Sequence, residues 1–415
     1  MLVLLARKSL RQRRLTTGLT FLSIALSVCL LLGVDLIQLG ARESFTGAIS
    51  GTDLVVGPRS SPTQLVLHSL FGIGSGSGGV SVTSWERLAA HPAVDWTAPM
   101  AFGDSYRGYR VVGVTESFFA HYRFYGGRKL SFASGGRPIE AHDATLGAAV
   151  AAELGHSLGD DLVLAHGVQE HALLEHSEHP FHVVGILAPT NTPVDRSVYI
   201  TLDGVEAMHD DEHDDTPGES NSHRDEEVHG GLEQLSAILV GLRSRPDVLH
   251  LKREIDEEEA EPLTAVLPAV ALNELWTTLG YAEKALRTIS VAVVGVGLIS
   301  MLIALYSTLQ ERRHEIAVLR SVGLGRREVL LLLVIEAGLL AATGAALGVA
   351  LVYAALLLIQ PVLEATIGFY LPIRPPTALH LGWLTGLIGA GMVIGLIPAW
   401  RAYRNSLSDG LTIRL

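Results

Sequence analysis

Four long apolar blocks constrain this 415-residue chain more than any other feature. They run Leu15–Ile37, Thr288–Leu309, Val329–Ile359 and Leu381–Trp400. A helix needs roughly 20 apolar residues to cross a bilayer core, and each block reaches or approaches that length. The first block could instead be a removed signal, but a cleavable signal has a shorter apolar core and a small-residue cleavage site. Gln38-Leu39-Gly40 supplies such a site poorly. A lipoprotein signal centred on Cys29 would place the bulky Val28 before the cysteine, with more apolar residues following. A retained transmembrane helix is the expectation. Charged residues make up only 18% of the chain, against about 25% in an ordinary soluble domain, which fits a membrane protein.

Charge orients the blocks. Arg7, Lys8, Arg11, Arg13 and Arg14 precede the first; Arg312, Arg313, Arg320, Arg326 and Arg327 separate the second from the third; Arg401, Arg404 and Arg414 follow the fourth. The positive-inside rule makes residues 1–14, 310–328 and 401–415 cytoplasmic. With these segments basic and the whole chain at −12, the remainder is strongly acidic, mostly between the first and second blocks. Residues 38–287 are then a large domain outside the cytoplasm, and 360–380 a short outer loop with prolines at 372, 375 and 376. The expected architecture is four transmembrane α-helices (15–37, 288–309, 329–359, 381–400) with an extracytoplasmic α+β domain inserted between helices 1 and 2. The acidic balance argues against nucleic acid as a partner. A single cysteine permits neither an intramolecular disulfide nor a cysteine-based zinc site.

In the outer domain, β-branched runs bounded by glycine or proline predict strands at Asp53–Gly57, Tyr109–Val114, Asp161–Leu164, Phe181–Leu187, Ser197–Thr201 and Ala237–Leu242. Thr83, with Glu86 three residues on, predicts a capping box opening a helix through Leu88. Ala148–Leu154 and Asp247–Glu258 are further helix candidates. Gly72–Gly79 reads as a flexible loop and not a phosphate cradle, because no GxxxxGK[ST] occurs anywhere in the chain. If the protein uses ATP, another subunit must hydrolyse it. Leu272–Arg287 has a helical pattern and runs directly into the second block, which predicts one continuous helix projecting from the bilayer.

The cytoplasmic stretch ERRHEIAVLRSVGLGRRE, Glu311–Glu328, is too charged to span and too short for a domain. Ile316 and Leu319 are apolar at helical spacing beside polar Arg312, Arg313 and Glu315, the pattern of a short amphipathic helix on the membrane surface. Gly323 and Gly325 would end it.

This stretch with the following LLLLVIEAGLLAATGAALGVAL resembles the signature of the FtsX-like permease domain of MacB-type and lipoprotein-releasing ABC transporters. The likeness continues in PAWRAYRNSLSDGLTIRL at the C-terminus and ARKSLRQRRLTTGLTFLSIALSV at the N-terminus. In the outer domain, TLGAAVAAELGHSLGDDLVL and HPFHVVGILAPTNTPVDRSVYITL are similar to the family's extracytoplasmic core. The resemblance implies a permease subunit, not an enzyme, acting as a homo- or heterodimer in a bacterial cytoplasmic (inner) membrane. Its large domain would lie outside, in the periplasm where a second membrane exists. Each chain would dock on an ABC ATPase subunit through Glu311, Arg312, Arg313, Glu315, Ile316, Leu319, Arg320 and Gly323. ATP-driven motion would pass mechanically to the outer domain, serving export or extraction of a lipoprotein, peptide or similar cargo. Only about 14 residues precede the first block, so ATP is expected on a separate subunit and no cofactor on this chain.

Small residues four apart allow close helix approach in lipid. Gly344 and Gly348, with Ala337, Ala341 and Ala345, mark the third span for such packing, as Gly382/Gly386 and Gly391/Gly395 mark the fourth. Asp35 and Glu336 should face the bundle or an interface, since a charge exposed to lipid is costly. Eleven of the 17 histidines fall between residues 142 and 229. The tract His209–His229, HDDEHDDTPGESNSHRDEEVH, is acidic and without apolar period, and is expected to be a disordered insertion. His209, Asp211, His213, His223 and His229 could form a weak zinc site, or the tract could be a solvated acidic loop. Two other functions stay open: a metal-linked transport component using this loop, and a non-transporting membrane scaffold that activates an extracytoplasmic or periplasmic partner.

Overall fold

The computed structural model describes residues 14–76, 78–166, 180–214, 234–311, 321, 325–367 and 373–404. In chain order the helices are α1 (Arg14–Gly47), α2 (Pro62–Phe71), α3 (Val82–Ala89), α4 (Glu116–His121), α5 (Ala148–Leu154), α6 (Leu202–Asp214), α7 (Val248–Asp256), α8 (Pro268–Glu311), α9 (Arg326–Ile367) and α10 (Ala378–Arg404). The strands of the main sheet are β1 (Leu54–Pro58), β2 (Val94–Tyr106), β3 (Tyr109–Val114), β4 (Phe132–Gly135), β5 (Asp143–Leu146), β6 (Asp161–Leu162), β7 (Ala165–His166), β8 (Phe181–Leu187), β9 (Ser197–Thr201), β10 (Ala237–Leu242) and β11 (Leu263–Val266). The chain divides into a helical unit (1–40, 280–360, 371–415) and an α+β unit (41–279, 361–370).

In the helical unit, α1, α8, α9 and α10 are each long and apolar enough to cross a membrane. Their outward residues are apolar, among them Leu19, Ile289, Ile303, Leu358 and Val393, as lipid contact requires. The helices outrun the apolar blocks: α1 continues ten residues beyond Ile37, and α9 continues through Pro361 to Ile367. The segment expected as an outer loop from residue 360 therefore begins as helix. Hydropathy marks only the part of a helix that needs lipid, and a polar extension is invisible to it.

The α+β unit is built on the sheet order β11-β1-β10-β2-β3-β9-β5-β8-β4, with β7 pairing β2 and β6 pairing β8. Most pairs are antiparallel; β9–β3 and β8–β5 are parallel. Strands β1 and β10 are buried at successive positions and do not alternate, because both faces of the sheet are covered there, whereas β8 alternates. On β1, Val55 belongs to one core cluster with Phe118 and Leu239, while Leu54 and Val56 belong to another with Ile238 and Ile255. A third cluster, around Leu146, Leu162 and Ile200, serves the β5–β8–β9 end.

β2, the longest strand, escapes sequence reading because Pro99 and Gly103 interrupt it and polar Asp95, Thr97 and Asp104 dilute it. The expected capping box at Thr83 is displaced by two residues. Ser81 is the cap, its hydroxyl accepting from Ser84 N at 3.2 Å, and Glu261 holds Ser81 from outside the helix.

α8 is unbroken over 44 residues. Its first turns are anchored in the α+β core, where Ala271 and Leu272 are buried in the cluster around Phe118. The end of α1 is fixed in the same core: the Phe45 ring lies 4.6 Å from Phe71 and 5.9 Å from Trp276 of α8.

Candidate functional site

Small residues set the packing of the helical unit. A Cβ on Gly344 would stand 2.8 Å from Ile24 Cγ2, and one on Gly348 would stand 2.6 Å from Ala25 O and 2.7 Å from Val28 Cβ. α9 thus lies against α1 at backbone distance. A Cβ on Gly391 would meet Ala341 Cβ at 2.8 Å, and one on Gly395 would meet Ala337 Cβ at 2.5 Å, which joins α9 to α10. Gly382 and Gly386 do not share this role, because a Cβ at either meets nothing within 4 Å. They stand at helical spacing on α10, and Gly386 borders a cavity of about 220 Å³ with Val28, Leu298 and Trp383. Gly297 of α8 fits against Ser27, whose hydroxyl donates to Ser23 O and Val293 O.

One carboxylate ties three of these helices together. Pro375-Pro376-Thr377 leads into α10, and Thr377 and His380 cap each other. Thr377 N donates to His380 Nδ1 at 3.2 Å, and His380 N donates to Thr377 Oγ1 at 3.4 Å. Histidine here occupies the place that glutamate or glutamine takes in a capping box. Because Nδ1 accepts, the ring proton is on Nε2, which donates to Asp35 Oδ2 on α1 at 2.8 Å. Arg287 of α8 donates from Nη2 to the other oxygen, Oδ1, at 2.8 Å, and its Cζ lies 5.7 Å from the Trp383 ring centroid. Asp35 and His380 are buried, while the Arg287 side chain is 54% exposed. A carboxylate at this depth is tolerated because a cation and a neutral donor share its two oxygens.

Asp35 and Glu336 are both buried, in keeping with the cost of facing lipid. Sequence reading missed Arg287 and His380 because it assigned them to the outer domain and the outer loop. The available signal was position: Asp35, Arg287 and His380 each stand at the outer end of an apolar block, hence at one depth.

The expected coupling segment falls mostly outside the described residues. Glu311 ends α8; Arg312, Arg313, Glu315, Ile316, Leu319, Arg320 and Gly323 lie beyond what is described. α9 opens with Gly325 N donating to Glu328 Oε2 at 2.9 Å. Of the suggested metal ligands, His209, Asp211 and His213 lie on α6, so this part of the tract is helix and not the expected loop. The polar tract extends the helix that Leu202 and Val205 anchor to the core. His223 and His229 lie outside the described residues. Among the described residues no group of three His, Cys, Asp or Glu is placed to hold a metal ion.

Comparison with known families agrees with this architecture. Residues 17–258 match the MacB-like periplasmic core domain, and residues 287–407 match the FtsX-like permease C-terminal domain. The chain belongs to the MacB/FtsX-like family of ABC transporter permeases, with a large α+β domain between its first and second spans. Among solved structures it is similar to the periplasmic region of MacB from Actinobacillus actinomycetemcomitans, at 11% identity and a TM-score of 0.35, covering 56% of this chain and 96% of that one. It is also similar to the extracellular domain of the ABC-type transporter YknZ from Gram-positive bacteria, at 11% identity and a TM-score of 0.31, covering 52% and 98%. No curated protein matches the chain.

Proposed function

We propose that this chain is the permease subunit of an inner-membrane ABC system in which a separate ATPase drives motion of the extracytoplasmic domain. Two copies, or this chain and a related one, dimerise, and each receives an ATPase on the stretch from Glu311 to Gly323. The cargo is a lipoprotein, peptide or similar molecule handled outside the membrane. The observation that carries this reading is α8: it is one helix from Pro268 to Glu311, with Ala271 and Leu272 fixed in the α+β core. A helix continuous from the outer domain to the predicted docking stretch suits mechanical transmission better than a substrate pore. The test is co-purification. The wild-type chain should bring down an ABC ATPase from its native membrane, and the triple variant Arg312→Glu, Arg313→Glu, Glu315→Arg should lose it. Undiminished capture by the variant would refute the docking site.

A further inference from the structure

A cleft of about 610 Å³ opens in the α+β unit between the turn after α2, strands β2 and β3, and the segment Pro193–Ser197. Arg110, on β3, lines it. Its Nη1 donates to His68 O at 2.8 Å, and its Cζ lies 3.3 Å from the centroid of the Phe102 ring. Its Nη2 is buried and has no hydrogen-bond partner, and no carboxylate of the described residues pairs with it. The other guanidinium at the cleft, Arg196, is already paired with Glu153 at 2.8 Å, and Asp104 also lines the wall.

A buried polar atom in a native fold normally has a partner, and a buried cation normally has a counter-charge. Burial lowers the Arg110 guanidinium to about 10, and burial, with the nearby Arg110 charge, holds the His68 imidazole below its ordinary value. The contact with His68 O at the end of α2 accounts for one donor and leaves the opposite one unmet. The turn above is fitted closely to these groups. Gly72 has φ +65, and a Cβ there would meet Arg110 Nη1 at 3.3 Å; a Cβ on Gly76 would meet His68 Nε2 at 2.8 Å. The remaining wall is mixed: Met100, Phe102, Val112 and Phe118 supply apolar surface, and Ser69, Ser197, Ser236 and Asp104 supply polar groups.

We infer that this cleft binds a small organic acid with an apolar body, its carboxylate on Arg110 and its body against Phe102, Met100 and Val112. A charge-assisted bond to a guanidinium is stronger than a neutral one, so the site distinguishes an acid from the matching alcohol. The cleft volume falls within the range of small-molecule sites. This goes beyond the permease reading, because it gives the outer domain a ligand whatever its ATPase partner.

The test uses the full chain in lipid nanodiscs, with protein-free nanodiscs as the blank, and titrates phenylpropionate, phenylpropanol and acetate by calorimetry. Phenylpropionate should bind saturably and about tenfold or more tighter than either of the others. Arg110→Gln should bring the acid down to the level of the alcohol, and Arg110→Lys should keep part of the preference. As a second readout, the carbon resonances of labelled His68, assigned with His68→Asn, should titrate at higher pH when phenylpropionate is bound. Absence of saturable acid binding, equal binding of acid and alcohol, or full acid binding by Arg110→Gln would each overturn the proposal. If Arg110→Gln does not fold, the acid–alcohol comparison and the His68 titration on the wild-type protein decide it.

Discussion

Asp35 of α1 and His380 of α10 stand 345 residues apart in sequence and share a 2.8 Å hydrogen bond inside the helical unit. Arg287 of α8 completes the group on the other carboxylate oxygen. The arrangement is asymmetric: removing Asp35 leaves a half-exposed guanidinium and one neutral donor, whereas removing Arg287 leaves a buried carboxylate without its cation.

Asp35→Ala should destabilise the helical unit by about 1–2 kcal/mol, because the half-exposed Arg287 guanidinium finds water and His380 loses one hydrogen bond. Arg287→Ala should cost about 3 kcal/mol, because it leaves the buried Asp35 carboxylate without its counter-charge. His380→Gln should cost about 1 kcal/mol, since glutamine keeps the Thr377 cap and loses the Asp35 bond. Equilibrium unfolding in mixed micelles gives the ranking. An Arg287→Ala variant more stable than Asp35→Ala would contradict it.

The glycines separate into two behaviours. Gly348→Ala forces a methyl against Ala25 O and Val28 Cβ, and should cost about 1–3 kcal/mol. Gly382→Ala meets nothing within 4 Å and should be neutral or slightly stabilising, given alanine's helix preference of about 1 kcal/mol. Thermal unfolding of the two variants side by side checks this, and equal effects would count against the packing described.

The start of α3 should respond to acid. Burial opposes ionisation of Glu261, but hydrogen bonds from Ser81 and Ser84 and the charge of Arg87 outweigh it and hold the carboxyl below its ordinary value of 4.5. A lowered folded value stabilises above the unfolded one and loses that stability as pH falls through it. Glu261→Gln should be less stable than wild type near neutral pH by about 0.5 kcal/mol after solvent screening, and the two should converge well below pH 4.5. Trp85 lies on α3 and donates to Thr97 Oγ1 at 3.0 Å, so its fluorescence is a local reporter. A stability gap unchanged in acid would show that Glu261 is not the linked group.

On the metal reading of the sequence, zinc should bind the full chain weakly through His209, Asp211, His213, His223 and His229, and less as pH falls, because a ligating histidine must be neutral. His209→Ala with His213→Ala should remove most of that binding, as should deletion of 215–229. Calorimetric titration reads both, and identical binding by all three proteins would end the metal reading.

Much of this architecture is legible in the sequence, for identifiable reasons. Phe181–Leu187, Ser197–Thr201 and Ala237–Leu242 are short, apolar and bounded by turns, and the structure has strands at those limits. One strand paired with Ala237–Leu242 required tertiary context: β2 carries a proline and polar residues that only its neighbours on both sides can hold extended. Spacing identified Gly344, Gly348, Gly391 and Gly395 as packing residues but could not separate them from Gly382 and Gly386, since period alone does not say which face has a neighbour. Asp35 drew notice as a charge among apolar residues, whereas its partners looked ordinary at the edges of their blocks. Arg110 gave no sequence signal at all, because an arginine in the run Tyr109–Val114 reads as one polar residue of a strand.

The central claim is that ATP on a partner subunit moves the outer domain. With Cys29 as the only cysteine, a Cys29→Ser, Glu259→Cys chain can carry one spin label at an exposed position of that domain. The label-to-label distance between the two permease chains is then measured in nanodiscs containing the ATPase, with and without ATP and vanadate. The account predicts distance distributions that differ between the nucleotide-free and trapped states. Superimposable distributions, with the ATPase bound and turning over, would contradict it.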